Sequence, residues 1–153
     1  MEFLANIHPQ IVHFPIAFFI LYFLFETSGI ILKKEYLMKS ALIILVVGVC
    51  FSLIAVLSGN QSAQNLSNTY HENFVNYKDQ ISLHEQFATI SLWYFSVVLF
   101  LRIYLQIKKK LSGNFKYILL LLGLTGCVLI YFTGIYGGEL VYKYGIGTKL
   151  FEK

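Results

Sequence analysis

The sequence is poor in charge. Of 153 residues only 13% are Asp, Glu, Lys or Arg, while 57% are hydrophobic; a soluble globular domain carries about 25% charged residues. That deficit, with a mean hydropathy of +0.65, excludes an ordinary soluble domain and a disordered tail. Cysteine is scarce too. Cys50 and Cys127 both fall inside apolar runs, and neither C-x-x-C nor C-x-x-C-H occurs. A disulfide framework, a zinc ribbon and covalently attached c-type haem are therefore excluded. Also missing are a Ser/His/Asp arrangement, a phosphate loop and H-E-x-x-H, since position 88, four after His84, is Ala; hydrolase chemistry has no support. The chain opens on Met1, Glu2 and Phe3 with no basic segment and no small-residue cleavage site, so the first apolar run is expected to be retained. No internal repeat stands out.

What the sequence does have is four apolar runs, Ile11 to Leu32, Leu37 to Ser58, Leu83 to Ile107 and Tyr117 to Tyr136. About 20 helical residues cross the roughly 30 Å hydrocarbon core, and the runs are continuous rather than alternating, which excludes a membrane β-barrel. The expected fold is all-α: an integral membrane four-helix bundle, one domain spanning 1–153, with spans near 11–32, 37–58, 83–107 and 117–136. A polar loop at 59–82 and a tail at 137–153 complete it. Lys33, Lys34 and Lys39 flank the first short connection, and Arg102, Lys108, Lys109, Lys110 and Lys116 the second. Positive loops stay cytoplasmic, so both termini and the long loop are expected outside. The net charge of +4 sits in these loops and does not point to nucleic acid.

The four histidines, His8, His13, His71 and His84, all fall on the outward side of that topology. Pro9 is expected at the first helical position, with His8 at the cap and His13 about one turn further in. Two imidazoles from separate spans commonly hold b-type haem in a bundle. His13 and His84 are the preferred axial ligands and His8 the alternate to either; a second haem on His8 and His71 is a lesser option. Phe14, Phe18, Phe87 and Trp93 would supply an apolar slot, and Tyr136, Tyr142, Lys143 or Tyr144 would reach the propionates. The competing ligand set is His8, His71, His84 and Glu85 around Zn or Cu. The plainest alternative is a membrane-boundary belt of histidine and aromatic residues. Glu26, within the first span, is expected to pair with Lys33 or Lys34. The Gly48, Ser52, Ala55 series and the Gly123, Gly126 pair read as close helix packing. The glycines of 134–147 suggest a helix that stops at Gly137 and a tail folding back over the outer mouth.

Three pieces together, His8-Pro9-x-x-Val12-His13-Phe14-Pro15-Ile16, His84-Glu85, and Gly137-Gly138-Glu139-Leu140-Val141-Tyr142-x-Tyr144-Gly145-Ile146-Gly147, resemble the bacterial membrane family catalogued as domain of unknown function twenty-two thirty-one. The resemblance covers almost the whole chain. It implies four spans, a bacterial inner membrane with the histidines on the periplasmic side, and redox company in the form of Rieske-type or c-type cytochrome modules. It also marks His8, His13, His84, Gly138, Glu139 and Tyr142 as the site positions. The expected function is single-electron transfer through haem b near the outer leaflet, and any enzymatic activity would be of the quinol/cytochrome type. The expected partners are the lipid bilayer, a quinol, a periplasmic electron carrier, a larger membrane redox complex or a second copy of the chain. The rival from another class is a non-catalytic scaffold subunit.

Overall fold

The computed structural model describes residues 2–69, 71–111 and 113–148, without the side chains of 2, 3 and 71–74. It is 89% helical. Five helices follow in order: α1 Glu2–Ile11, α2 His13–Ile31, α3 Glu35–Thr69, α4 His71–Ile107 and α5 Asn114–Tyr142. Four helical stretches are long and apolar enough to cross a membrane, Leu4–Ile31, Glu35–Thr69, Val75–Ile107 and Asn114–Tyr142. With an even number of spans the two ends of the bundle's chain lie on one side.

The first span is α1 and α2 in series, broken at Val12. Pro15 has no N–H to offer the carbonyl of Ile11, and its ring crowds that oxygen, so the helix opens one turn upstream. Pro9 does not start the helix as expected but lies inside α1; it forfeits only the bond to Ala5, close to the helix start. The segment 59–82, expected as a loop, is helical in the described residues. Its Asn, Gln and Ser residues are interrupted by no proline, and at 1.5 Å per residue the 35-residue α3 is roughly 50 Å long. It therefore outruns the hydrocarbon core, and its polar end meets water as a helix. α5 likewise passes Gly137 and ends at Tyr142; Gly145 then reverses the chain at φ 70. Beyond α5, Tyr144 folds back against Tyr77 of α4, ring centroids 5.2 Å apart.

At the opposite end α2 and α4 both close in Schellman motifs. Lys34 N–H donates to Gly29 O and Lys33 N–H to Ile30 O; Lys110 N–H donates to Leu105 O and Lys109 N–H to Gln106 O. The residue that must turn left-handed is Lys33 in one and Lys109 in the other, each at φ 53, where glycine is the usual choice.

α2 packs on α3 and α5, α3 on α4, and α4 on α5, so the spans form a ring with the first and third on a diagonal. Their side chains meet along the bundle axis. Phe19 and Phe95, both fully buried, stack at a centroid distance of 3.6 Å, inside a core of Tyr22, Ala41, Leu45, Val98 and Ile130. The small residues do close-pack: a Cβ on Gly48 would fall 2.9 Å from the ring of Phe19, and one on Gly126 would enter the ring of Phe95.

These contacts expose an internal repeat that the sequence alone did not suggest. His8 and His84, Phe19 and Phe95, Glu26 and Arg102, and Lys33 and Lys109 are all spaced by the same 76 residues. Their packing partners on the second and fourth spans, Gly48 and Gly126, and Gly59 and Gly137, are both 78 apart. The bundle is one helical hairpin used twice about an axis along its length, an arrangement of parallel repeats known in membrane folds. Apolar runs resemble one another in any bundle, so the repeat shows only in the few positions where a ring meets a glycine or a helix must stop.

Candidate functional site

His8 and His84 stand at equivalent places in the two hairpins, each half-buried against a glycine of its neighbouring helix. A Cβ at Gly59 would lie 2.9 Å from His8 Cε1, and one at Gly137 would lie 2.8 Å from His84 Cε1. The rings are held through Nδ1. His84 Nδ1–H donates to the Thr133 carbonyl at 3.2 Å. Ser58 spends its one hydrogen on the Ala55 carbonyl at 3.0 Å, so its oxygen accepts from His8 Nδ1–H at 2.9 Å. The network thus assigns the same tautomer to both neutral imidazoles, with the lone pair on Nε2. At this end α2 packs on α5, but beyond the Pro15 break α1 packs on α3 and, among the described residues, makes no close backbone approach to α4 or α5.

The other sequence candidates are placed as follows. His13 is exposed on α2, which lies diagonally from α4 and does not pack against its backbone; His8 and His84 are the two histidines at matched positions of the two hairpins. His71 opens α4, but its side chain lies outside the described residues, so the His8, His71, His84, Glu85 set is not assembled among them. Among the described residues no three His, Cys, Asp or Glu side chains converge as a metal site. Glu85 is half-buried beside His84, Glu139 is exposed on the last turn of α5, and Gly138 adjoins Tyr142, which is 93% exposed. Phe14 and Phe18 group with Phe51 of α3, and Phe87 with Phe132 and Tyr136 of α5. Trp93 points outward. Of the aromatics, the Phe87 group belongs with His84 on the α4–α5 face.

Sequence reasoning missed a fully buried ion pair. Glu26 pairs not with Lys33 or Lys34 but with Arg102: Nε donates to Oε1 at 3.0 Å, with the two side chains 0% (Arg102) and 1% (Glu26) exposed. Arg102 also donates from Nη1 to Gln106 Oε1 at 2.9 Å and from Nη2 to the Met38 carbonyl at 3.0 Å. Glu26 Oε2, the Tyr22 hydroxyl and the Thr27 hydroxyl are buried with no partner among the described residues. A signal was available. Glu26 and Arg102 each precede the lysine that ends their helix by seven residues, so on parallel spans they share a depth. By composition alone Arg102 groups with the loop cations.

A bundle of four apolar spans, carrying imidazoles at one end of its axis and an ion pair near the other, defines an integral membrane protein built to hold polar groups between helices. The family described as predicted membrane protein (DUF2231) matches residues 4–150, and the chain belongs to that family. No curated protein and no solved structure matches it.

Proposed function

We propose that the chain holds one b-type haem at the outer end of the bundle, between His8 of α1 and His84 of α4, and serves single-electron transfer from a quinol to a periplasmic carrier. The observation that carries this reading is the hydrogen bond that each histidine makes through Nδ1. Ligating histidines donate their other ring N–H to a carbonyl or similar acceptor, which fixes the ring and raises the basicity of the free nitrogen. Both histidines here do so, from equivalent positions, and present Nε2. When bound, haem supplies a one-electron Fe(III)/Fe(II) couple. The chain's own residues do the rest: Ser58 and the Thr133 carbonyl lock the rings, Gly59 and Gly137 leave them room, and the Phe87, Phe132, Tyr136 group offers an apolar wall. The outward orientation of this end follows from the lysines at the other.

An absorption spectrum of the purified full chain, expressed with added haem precursor, tests the reading. The expected result is a Soret band with sharp reduced α bands. His8→Ala and His84→Ala each abolish the low-spin spectrum, while His13→Ala keeps it. A colourless protein that retains zinc or copper points to the metal site, and a colourless, metal-free one to a scaffold; either overturns the haem. So does a spectrum that survives His8→Ala but not His13→Ala.

A further inference from the structure

At the inner end the two hairpins leave a cavity of about 380 Å³ across the pseudo-axis. Gly29, Lys33, Glu35, Met38 and Lys39 line it from the first hairpin, and Gln106, Lys109, Leu111 and Lys116 from the second. Four of these nine residues are lysines and one is an acid, and Glu35 is already engaged by Lys39 at 3.1 Å. Lys33, Lys109 and Lys116 therefore leave the cavity with uncompensated positive charge.

Two further features give this charge a direction. Gln106, which lines the cavity, gives its Oε1 to Arg102, which fixes the amide and leaves the NH₂ group to donate. α5 begins here at Gly113 with no side-chain cap and no acid in its first turn, so the first N–H groups and the positive end of its dipole are not neutralised locally. A second hollow lined by Lys109, Lys110, Gly113, Asn114 and Phe115 lies on that helix start and shares Lys109 with the cavity. The chain also keeps lysine at φ 53 in both turns, where glycine relieves strain. Strain retained at two equivalent positions that face one cavity points to a use for the charge.

We infer that this cavity binds a phosphate-bearing anion, with Lys33, Lys109 and Lys116 around the phosphate and the Gln106 amide donating to it. In the membrane the same chemistry comes from two sources, the headgroup of an anionic phospholipid or a soluble phosphate. Basic pockets between helix ends at the cytoplasmic surface are suited to such headgroups. The site lies at the opposite end from the histidines and does not depend on the haem reading.

Calorimetric titration of the full chain in detergent distinguishes the cases, using dihexanoylphosphatidylglycerol, dihexanoylphosphatidylcholine and inorganic phosphate as probes. Saturable binding of phosphatidylglycerol, with phosphatidylcholine and phosphate silent, identifies a lipid seat; binding of inorganic phosphate identifies a soluble anion. In either case Lys33→Gln, Lys109→Gln and Lys116→Gln each weaken binding by about fivefold. The variants are compared only where the helical circular dichroism is unchanged. Lys34→Gln and Lys108→Gln remove charge from the same turns without touching the cavity, and leave binding near wild type. Equal heats from the two lipids, silence from all three probes, or equal losses in the lining and control variants overturn the site.

Discussion

The two hairpins are built on one plan and differ where the plan alone does not suffice. In both, a histidine leans on a glycine, a phenylalanine fills the axis, and a lysine closes the helix. The differences are of three kinds. The first span carries Pro9 and Pro15 where the third carries Glu85 and Ser91, so the first is broken at Val12 while α4 runs unbroken. The charged residue buried toward the lysine end is Glu26 in one hairpin and Arg102 in the other. Ser58 receives the first imidazole, whereas a backbone carbonyl receives the second. Two identical hairpins would set like charges together on the axis; opposite signs at the matched depth turn repulsion into a pair and fix which hairpin faces which. A helix break in one copy alone, at the histidine end, leaves the ion pair at the other end intact.

The strongest way to break this relation is to remove one partner of the ion pair. Arg102→Ala leaves a carboxylate buried without a counter-charge and strips a donor from Gln106 and Met38, and about 3–5 kcal/mol of stability is expected to be lost. Denaturation of the helical circular dichroism in mixed detergent micelles measures it. The double swap Glu26→Arg with Arg102→Glu sharpens the comparison. In the swapped chain the arginine introduced on α2 meets the carboxylate introduced on α4 and, by the repeat, the Lys116 carbonyl in place of Met38's, but Ile30 stands where Gln106 stood. Most of the loss is therefore recovered, with about 1 kcal/mol left for the missing hydrogen bond. A swap no better than Arg102→Ala means that the hairpins are not equivalent at this depth.

How much of this was legible beforehand follows from what each residue signals by itself. Four spans were readable because an apolar run of about 20 residues has few other uses in water or lipid. Helix ends were not, because the polar stretch after Gly59 looks like a loop by composition, although nothing in it breaks a helix. The packing role of Gly48 and Gly126 was readable from spacing. The helix break at Val12, which sets His8 and His13 on separate helices, is a backbone event that no pattern of side chains records. The Glu26–Arg102 pair required counting both residues from their own helix ends.

At the histidine end the comparison rests on the two glycines. Gly137→Ala puts a methyl 2.8 Å from His84, and Gly59→Ala puts one 2.9 Å from His8. Each is expected to cost about 1–3 kcal/mol by overpacking and to displace its imidazole. Gly134→Ala, on the same helix as Gly137 with nothing within 4 Å of the new atom, is the control and gains up to about 1 kcal/mol from helix propensity. The same micelle titration reads all three. Loss at Gly137 with none at Gly59 shows that only one of the two imidazoles is seated as described.

The smallest effect concerns the turns. A non-glycine residue in the left-handed region costs about 1–2 kcal/mol, and glycine returns about 0.5–1 kcal/mol of that as extra freedom in the unfolded chain. Lys109→Gly and Lys33→Gly are therefore each expected to raise stability by about 0.5–1 kcal/mol, read as a shift of the unfolding midpoint. Lys109→Ala removes the charge but keeps the strain, so it gains nothing from the backbone. The difference between the glycine and alanine variants isolates strain from electrostatics. If both variants stabilise equally, the lysines were repelling one another and the left-handed turn was not the cost. If only the glycine variants do, both hairpins carry the same strained lysine at the same place, against stability.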